Sequence, residues 1–354
     1  MQSAQIHDSD GIRVEIRGEE SPDVWNERLG QISQGSYRQT THYAVIQRHF
    51  GEMPVYICAC DLSGNVLGQL LLLFGSRYSW SLNRRPLSSV TVPLATRLFP
   101  QCRWSDGPLI FDTDRCEEIG DLLLKKAIYE ARARKCREVR AIAPLYGEVK
   151  VDYESVCRRL FSENGFNEIP TYTLLVNLSY DDEKLWGNVK KEGRTKVRKA
   201  QSQGIEIMEI SGDDNHLRMA HEVMKETAER NKKVVLSFDD FRHSFNYHFD
   251  LGVERSFLST WQGNPLSFQR AIVFNRNVRL GNVSYSDFSR EQKLYGNDLM
   301  QWHIIKWAKG SGHLWLDYGG VEPKSEDPKM QSIYKFKKKW GGELAARGNF
   351  VAKL

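Results

Sequence analysis

LWLDYGGVEPKSEDPKMQSIYKFKKKWGGEL, residues 314–344, is the stretch that decides the fold. It opens as a buried strand with Leu314, Trp315 and Leu316, and it ends at a carboxylate, Asp317, followed by the Gly319-Gly320 break. A polar loop leads into a short helical stretch that carries Lys335, Lys337, Lys338 and Lys339 beside Phe336 and Trp340. A strand end that empties into a loop beside a lysine cluster is a setting for a site, because α/β sheets bind ligands beyond their strand termini. The same lysines also read as a solvated basic helix.

Outward from this stretch, the chain repeats one order of elements: strand, turn, long amphipathic helix, strand. The first copy runs WSDGPLIFD, DRCEEIGDLLLKKAIYEARARKC and REVRAIAP; the second runs RLGNVSYSDF, REQKLYGNDLMQWHIIKWAKGSG and HLWLDYGG. An offset of 177 residues places Ala131 on Ala308 and Val139 on Leu316. Leu299, Trp302, Ile305 and Ala308 fall at helical spacing in the second helix. A helix between two short apolar strands is a β-α-β crossover. Upstream, VYICACD and VLGQLLLLF flank Gly64-Asn65 as a hairpin, and 254–287 gives three strands broken at Gly263-Asn264-Pro265 and Asn275-Arg276-Asn277. Antiparallel strands followed by a crossover match the acetyltransferase-like (GNAT) domain. The fold class expected is α/β, with two tandem GNAT-like domains and a cleft between them: 1–168, to which 342–354 returns, and 169–341.

Length and composition agree with that expectation. A chain of 354 residues suits two domains, and 40% hydrophobic with 27% charged residues is a globular composition. No run has the roughly 18 consecutive apolar residues of a membrane span. MQSAQIHDSDGIRVEIRGEE is polar and has no apolar core, so no signal peptide and a cytoplasmic location are expected. Of the six cysteines, Cys58 and Cys60 share one strand face, but no second Cys/His pair accompanies them. Reduced structural thiols and no metal are expected. Charge is more telling in its placement than in its sum of +5: Lys190, Lys191, Arg194, Lys196, Arg198 and Lys199 fall within ten residues against Glu192 alone. That run lies on an expected single helix, 181–203, with Leu185, Val189, Val197 and Ala200 as its buried stripe. A helix so one-signed can neutralise several phosphates, although a solvated face is the usual role of such a run.

Three stretches carry a resemblance. D-Y-G-G with I-Y-K-F-K-K-K-W-G-G-E-L resembles the C-terminal signature of the FemABX family of aminoacyl-tRNA-dependent aminoacyltransferases, which add amino acids to peptidoglycan precursors. L-W-G-N-V-K-K-E-G-R-T-K-V-R-K-A-Q-S-Q-G resembles the element that opens the family's second domain, and YGNDLMQWHIIKWAKGSG resembles its Y-x-N-x-[LA]-x-Q-W helix. The likeness runs from about Thr173 to Leu344, with a looser match at SYRQTTHYAVIQRHF; the family's coiled-coil arm is absent. The resemblance implies a monomeric enzyme with aminoacyl-tRNA as co-substrate and a peptide or peptidoglycan-precursor acceptor, without a cofactor. It implies Lys337, after Phe336, as the catalytic position, because the family is thought to use a lysine just after an aromatic. It places Arg230, Tyr285 and Tyr295 near the acceptor, and the 190–199 basic residues on tRNA. Gln47 and Arg48 stand where some members carry a lysine.

The rival class is an acyl-CoA-dependent GNAT N-acyltransferase. Its Gly-rich pyrophosphate turn at a helix N-terminus is missing: DTDRCEEIGD precedes one crossover helix and FSREQKLYGND the other. A third reading, an RNA-binding protein without catalysis, keeps the basic run and has no use for Lys337.

Overall fold

The computed structural model describes residues 11–18, 21–76, 78, 87–145, 153–281 and 283–354; most of the polar N-terminal segment lies outside the described residues. The chain divides into two compact units, Met1–Pro170 with Arg347–Leu354, and Thr171–Ala346.

In the first unit the elements are β1 (Ile12–Arg17), α1 (Pro22–Gly30), α2 (Thr41–His49), β2 (Met53–Asp61), β3 (Val66–Ser76), α3 (Ser88–Leu98), β4 (Pro100–Ser105), β5 (Leu109–Ile110), α4 (Cys116–Ala133), β6 (Glu138–Ile142) and α5 (Tyr153–Glu163). The sheet order is β1-β2-β3-β4-β6, antiparallel as far as β4. Between β4 and β6 the pairing turns parallel, from Gln101↔Glu138 to Ser105↔Ile142. Leu70 to Phe74 are all buried, which marks a strand covered on both faces. The α4 stripe of Ile119, Leu123, Ala127 and Ala131 packs into that core with Ile57, Leu72 and Val139.

The second unit contains β7 (Asn167–Asn177, from Thr171 on), α6 (Asp182–Asn188), α7 (Lys191–Ser202), β8 (Glu206–Glu209), α8 (Asp214–Arg230), α9 (Phe238–Asp250), β9 (Glu254–Trp261), β10 (Asn264–Phe274), β11 (Asn277–Leu280), β12 (Ser284–Tyr285), α10 (Asp287–Glu291), α11 (Gly296–Gly310), β13 (Trp315–Val321) and α12 (Pro328–Lys338). Its sheet runs β7-β13-β11-β10-β9-β8. Again one pair is parallel, β11 with β13, and the strand-helix-strand crossover joins it. The offset of 177 residues carries Ala133, the end of α4, onto Gly310, the end of α11, and carries Glu138 onto Trp315, the first residues of β6 and β13.

The final strand, β14 (Glu343–Lys353), passes from the second unit into the first. There Asn349↔Ile142 through Lys353↔Glu138 extend the sheet beyond β6. Phe350 stacks on Phe161 with centroids 4.2 Å apart, and Arg347 donates to Asp106 at 2.8 Å.

The structure corrects one element. Residues 181–203 form two helices, not one, broken at Val189-Lys190, where Val189 has ψ 129° and Lys190 ψ 150°. The break is held by side-chain and main-chain bonds. Arg194 Nη1 donates to the carbonyls of Gly187 (3.0 Å) and Val189 (2.5 Å), and Lys190 N donates to Lys339 O at 2.8 Å. Helical periodicity persists across such a break, so the apolar stripe alone does not reveal it.

Candidate active site

The Asp317 end of β13 is built by a mismatch between its two neighbours. With β11 the register is Arg279↔Asp317, and β11 stops one residue later at Leu280. With β7 the register shifts between Asp317 and Gly320. Such a bulge re-aims the chain, and Gly319 takes the left-handed conformation, φ 73°, that it requires. The Asp317 carboxylate, fully buried, fills the gap: Oδ1 accepts from Thr173 Oγ1 and, at 2.7 Å, from Gly319 N. Arg279 Nε stands 3.8 Å from its Oδ2, so a buried carboxylate has the partners it needs.

α12 brings the lysine cluster to this strand end. Asp327 caps the helix by accepting from Lys329 N at 2.8 Å, and Pro328 sits in its first turn. From the last turn Lys337 extends so that Nζ donates to Gly320 O at 2.9 Å. Burial lowers the Lys337 pKa below the ordinary lysine value and the Arg279 charge adds to the lowering, while Asp317 opposes both. The four lysines therefore differ. Lys335 and Lys338 are exposed. Lys339 is buried, pairs with Asp298 at the start of α11, and lies 4.5 Å from the Phe336 ring centroid. Phe336 in turn meets Trp340 edge to face at 6.3 Å. After Trp340 the chain passes so close to Asn188 that a Cβ on Gly341 would lie 2.7 Å from that residue's Cβ, and φ there is 83°.

The basic run forms a second cluster. Lys190, Lys191, Arg198 and Lys199 are exposed; Arg194 is engaged by the α6 carbonyls, and Lys196 is half-buried against Glu192 at 2.5 Å. Lys196 and Lys199 stand 5.7 and 5.2 Å from the ring centroid of Tyr295, the residue preceding α11. With Lys191, Glu192 and Thr195 they line an open pocket of about 450 Å3. Burial pulls the Lys196 pKa down, yet the Glu192 hydrogen bond and the neighbouring negative charges lift it above the ordinary value. Tyr295 is thus placed with the basic helix.

Arg230 and Tyr285 form a third cluster. The guanidinium lies 4.5 Å from the Tyr285 ring centroid and donates to Asp287 Oδ1 at 2.7 Å, Thr227 Oγ1 at 3.0 Å and Tyr285 O at 2.5 Å. These bonds tie α8 to β12 and α10. Arg279, Thr173 and Asp298, which position the lysines, escaped the sequence reading. Each is remote in sequence from the group it serves, and only the strand register brings Arg279 beside Asp317.

Among the described residues no cluster of His, Cys, Asp and Glu has the makings of a metal site, and no helix is long and apolar enough to cross a membrane. Glu117 and Glu118 occupy the first turn of α4, where their charge opposes an anion.

No protein-family model and no curated protein sequence matches the chain. Solved structures do. A crystal structure of FemX is similar with a TM-score of 0.74 at 18% identity, over 96% of this chain and 97% of that one. L-PGS from Bacillus licheniformis gives 0.56 at 12% identity, over 94% and 91%. A tandem GNAT protein from the clavulanic acid biosynthesis pathway gives 0.55 at 12%, over 96% and 98%. The chain therefore has the fold of FemX, with two α/β units of the GNAT type in tandem.

Proposed function

We propose that the chain is an acyltransferase that moves an amino acid from aminoacyl-tRNA to an amine of a peptide or muropeptide precursor. The observation that carries this reading is Lys337, a half-buried ammonium held at the end of β13 by Gly320 O, beside Asp317. The ester on tRNA is already activated, so the demands on the protein are alignment and charge stabilisation. The acceptor nitrogen attacks the ester carbonyl carbon, a C–N bond forms, and the carbonyl oxygen becomes an oxyanion. Collapse breaks the C–O bond to the ribose; the amine loses a proton, the ribose oxygen gains one, and an amide remains. An ammonium has three N–H donors. Gly320 takes one, leaving two for the oxyanion. Phe336 positions this lysine indirectly, by packing on Lys339 and Trp340 at the end of α12.

We assign the tRNA phosphates to the basic run from Lys190 to Lys199, with Lys191, Arg198 and Lys199 as direct contacts and Arg194 holding the helix start. The acceptor is assigned to Arg230 and Tyr285, the first of which shapes the Tyr285 surface through its bonds to β12, while Tyr295 goes with the basic helix whose lysines stand over its ring. Support comes from the sequence likeness to the FemABX family, from the FemX fold, and from the acidic first turn of α4, which suits coenzyme A poorly. The test is incubation with a pool of charged tRNAs and candidate acceptors, with and without RNase. RNase-sensitive acyl transfer is expected; RNase-insensitive transfer that needs coenzyme A would replace this reading with the acyl-CoA one.

A further inference from the structure

The first unit carries an apolar surface that the transfer chemistry leaves unused. On α3, Val90, Leu94 and Leu98 are 64%, 54% and 51% exposed. At 3.6 residues per turn these positions fall within an arc of about 80°, so they form one stripe along the whole helix. Leu87, 75% exposed, extends it at the N-terminal end, and Phe99, 45% exposed, follows the helix just past its C-terminal end. The opposite side is the one that packs: Val92 and Ala95 are buried. A helix whose small residues face the core and whose leucines face out reverses the usual arrangement. Scattered exposed leucines need no explanation, but a contiguous stripe does.

Charge identifies what covers it. From residue 62 to residue 105 the sequence has no Asp or Glu, while it has Arg77, Arg84, Arg85, Arg97 and Arg103, the last of them paired with Glu52. Arg97 is exposed in the last turn of α3. Arg137, also exposed, sits with its guanidinium 5.9 Å from the Phe99 ring centroid. Lys135 and Arg132 on the same turn are exposed too. The acids nearest to them in sequence are both engaged, Glu130 by Lys126 and Arg134 and Glu138 by Gln101 and Arg140. Tyr78 lies edge-on to Phe99 at 5.7 Å, which adds an aromatic of the kind that favours the headgroup region. Apolar residues flanked by arginines, with the neighbouring acids already paired, complement an anionic lipid surface, where burial and charge together supply the two signals that stable peripheral attachment needs.

We propose that α3 is an interfacial helix that seats the first unit on an anionic membrane surface through Leu87, Val90, Leu94, Leu98 and Phe99. The test is flotation of the whole chain with vesicles of phosphatidylcholine alone or of phosphatidylcholine with phosphatidylglycerol. The chain should float with the anionic vesicles and be released by added salt. Leu94→Ser with Leu98→Ser should lower partitioning by about tenfold or more, with an unchanged thermal midpoint because both side chains face solvent. Arg97→Gln with Arg137→Gln should weaken binding several-fold and flatten its salt dependence. Absence of flotation with anionic vesicles, or a serine variant that floats as well as the parent, overturns the proposal. So does a concentration-dependent dimer in sedimentation that the serine variant abolishes, since the stripe then belongs to a second copy.

Discussion

Nζ of Lys337 donates to the main-chain oxygen of Gly320 at 2.9 Å, so a side chain on the last turn of α12 is anchored to the bulged end of β13. The bulge follows Asp317, which pairs with Arg279 on β11 and with Leu175 on β7, and the register with β7 shifts between it and Gly320. The position of the ammonium is therefore set by the sheet and does not depend on the lysine-rich helix alone.

Replacing Lys337 with Met keeps most of the bulk and removes the charge. Turnover should fall by roughly two orders of magnitude or more while tRNA affinity holds. Lys335 and Lys338, both exposed, serve as neutral controls. Lys339 does not, because its loss leaves Asp298 buried without its partner; Lys339→Met should lower the thermal midpoint. Equal, small kinetic effects at Lys335, Lys337 and Lys338 would remove Lys337 from the mechanism.

The pH profile offers a separate check. An ammonium that must be charged loses its effect as pH rises through its pKa, and for Lys337 that value lies below the ordinary 10.5. The alkaline limb of single-turnover transfer, corrected for ester hydrolysis, should appear below that pH. Asp317→Asn removes the charge that opposes the lowering, so the limb should move to lower pH. Lys337→Arg should carry it out of range, since a guanidinium stays charged. A limb indifferent to both changes belongs to another group.

For the basic run, Lys191→Ala, Arg198→Ala and Lys199→Ala should each flatten the salt dependence of tRNA binding. The slope of log K against log salt should fall by about 0.7 to 0.9 for each phosphate that is no longer neutralised. Arg194→Ala should act differently: it strips the α6 carbonyls of their donor and should cost about 1 to 3 kcal/mol of stability in denaturant titration. An unchanged slope in all three variants would reduce α7 to a solvated face.

Glu254 is fully buried and bonded by Arg270 (Nε to Oε1, 2.7 Å), Ser256 (2.7 Å) and His248 (3.3 Å). Burial pushes its pKa up, but Arg270 and His248 together outweigh that and hold it below the ordinary 4.5. A carboxylate lowered in the folded state binds its proton more tightly when unfolded. Its stabilising contribution is thus complete above the ordinary carboxylate range and is lost as pH falls through the lowered value. Arg270→Ala leaves the charge buried and unpaired, and should cost about 3 to 5 kcal/mol. That cost should shrink as pH falls and the unpaired Glu254 takes up a proton; a cost that stays the same at every pH would show that the Glu254 charge is not what Arg270 offsets.

Much of the fold was legible in the sequence because it rests on local pattern. The crossover repeat follows from apolar spacing in α4 and α11, and the hairpin of β2 and β3 from the apolar runs on either side of Gly64-Asn65. The break at Val189-Lys190 was not, because it is made by Arg194 and by the Lys339 carbonyl, which is distant in sequence. The lysine cluster was visible as four similar residues. Their separation into an anchored Lys337, a buried Lys339 and two exposed neighbours depends on Gly320 and Asp298, partners that linear order cannot supply. Tyr295 was grouped with Arg230 and Tyr285, whereas its ring lies with Lys196 and Lys199, because α7 packs against α11.

The path of β14 has a bearing on how the protein is made. The first unit has its β6 edge by residue 142, yet the strand that covers that edge, together with Phe350 for the aromatic stack and Arg347 for Asp106, lies some two hundred residues further along. A ribosome must synthesise the entire second unit before the first can close. Until then the nascent first unit holds an open sheet edge and an unfilled place beside Phe161, a state exposed to edge-to-edge pairing.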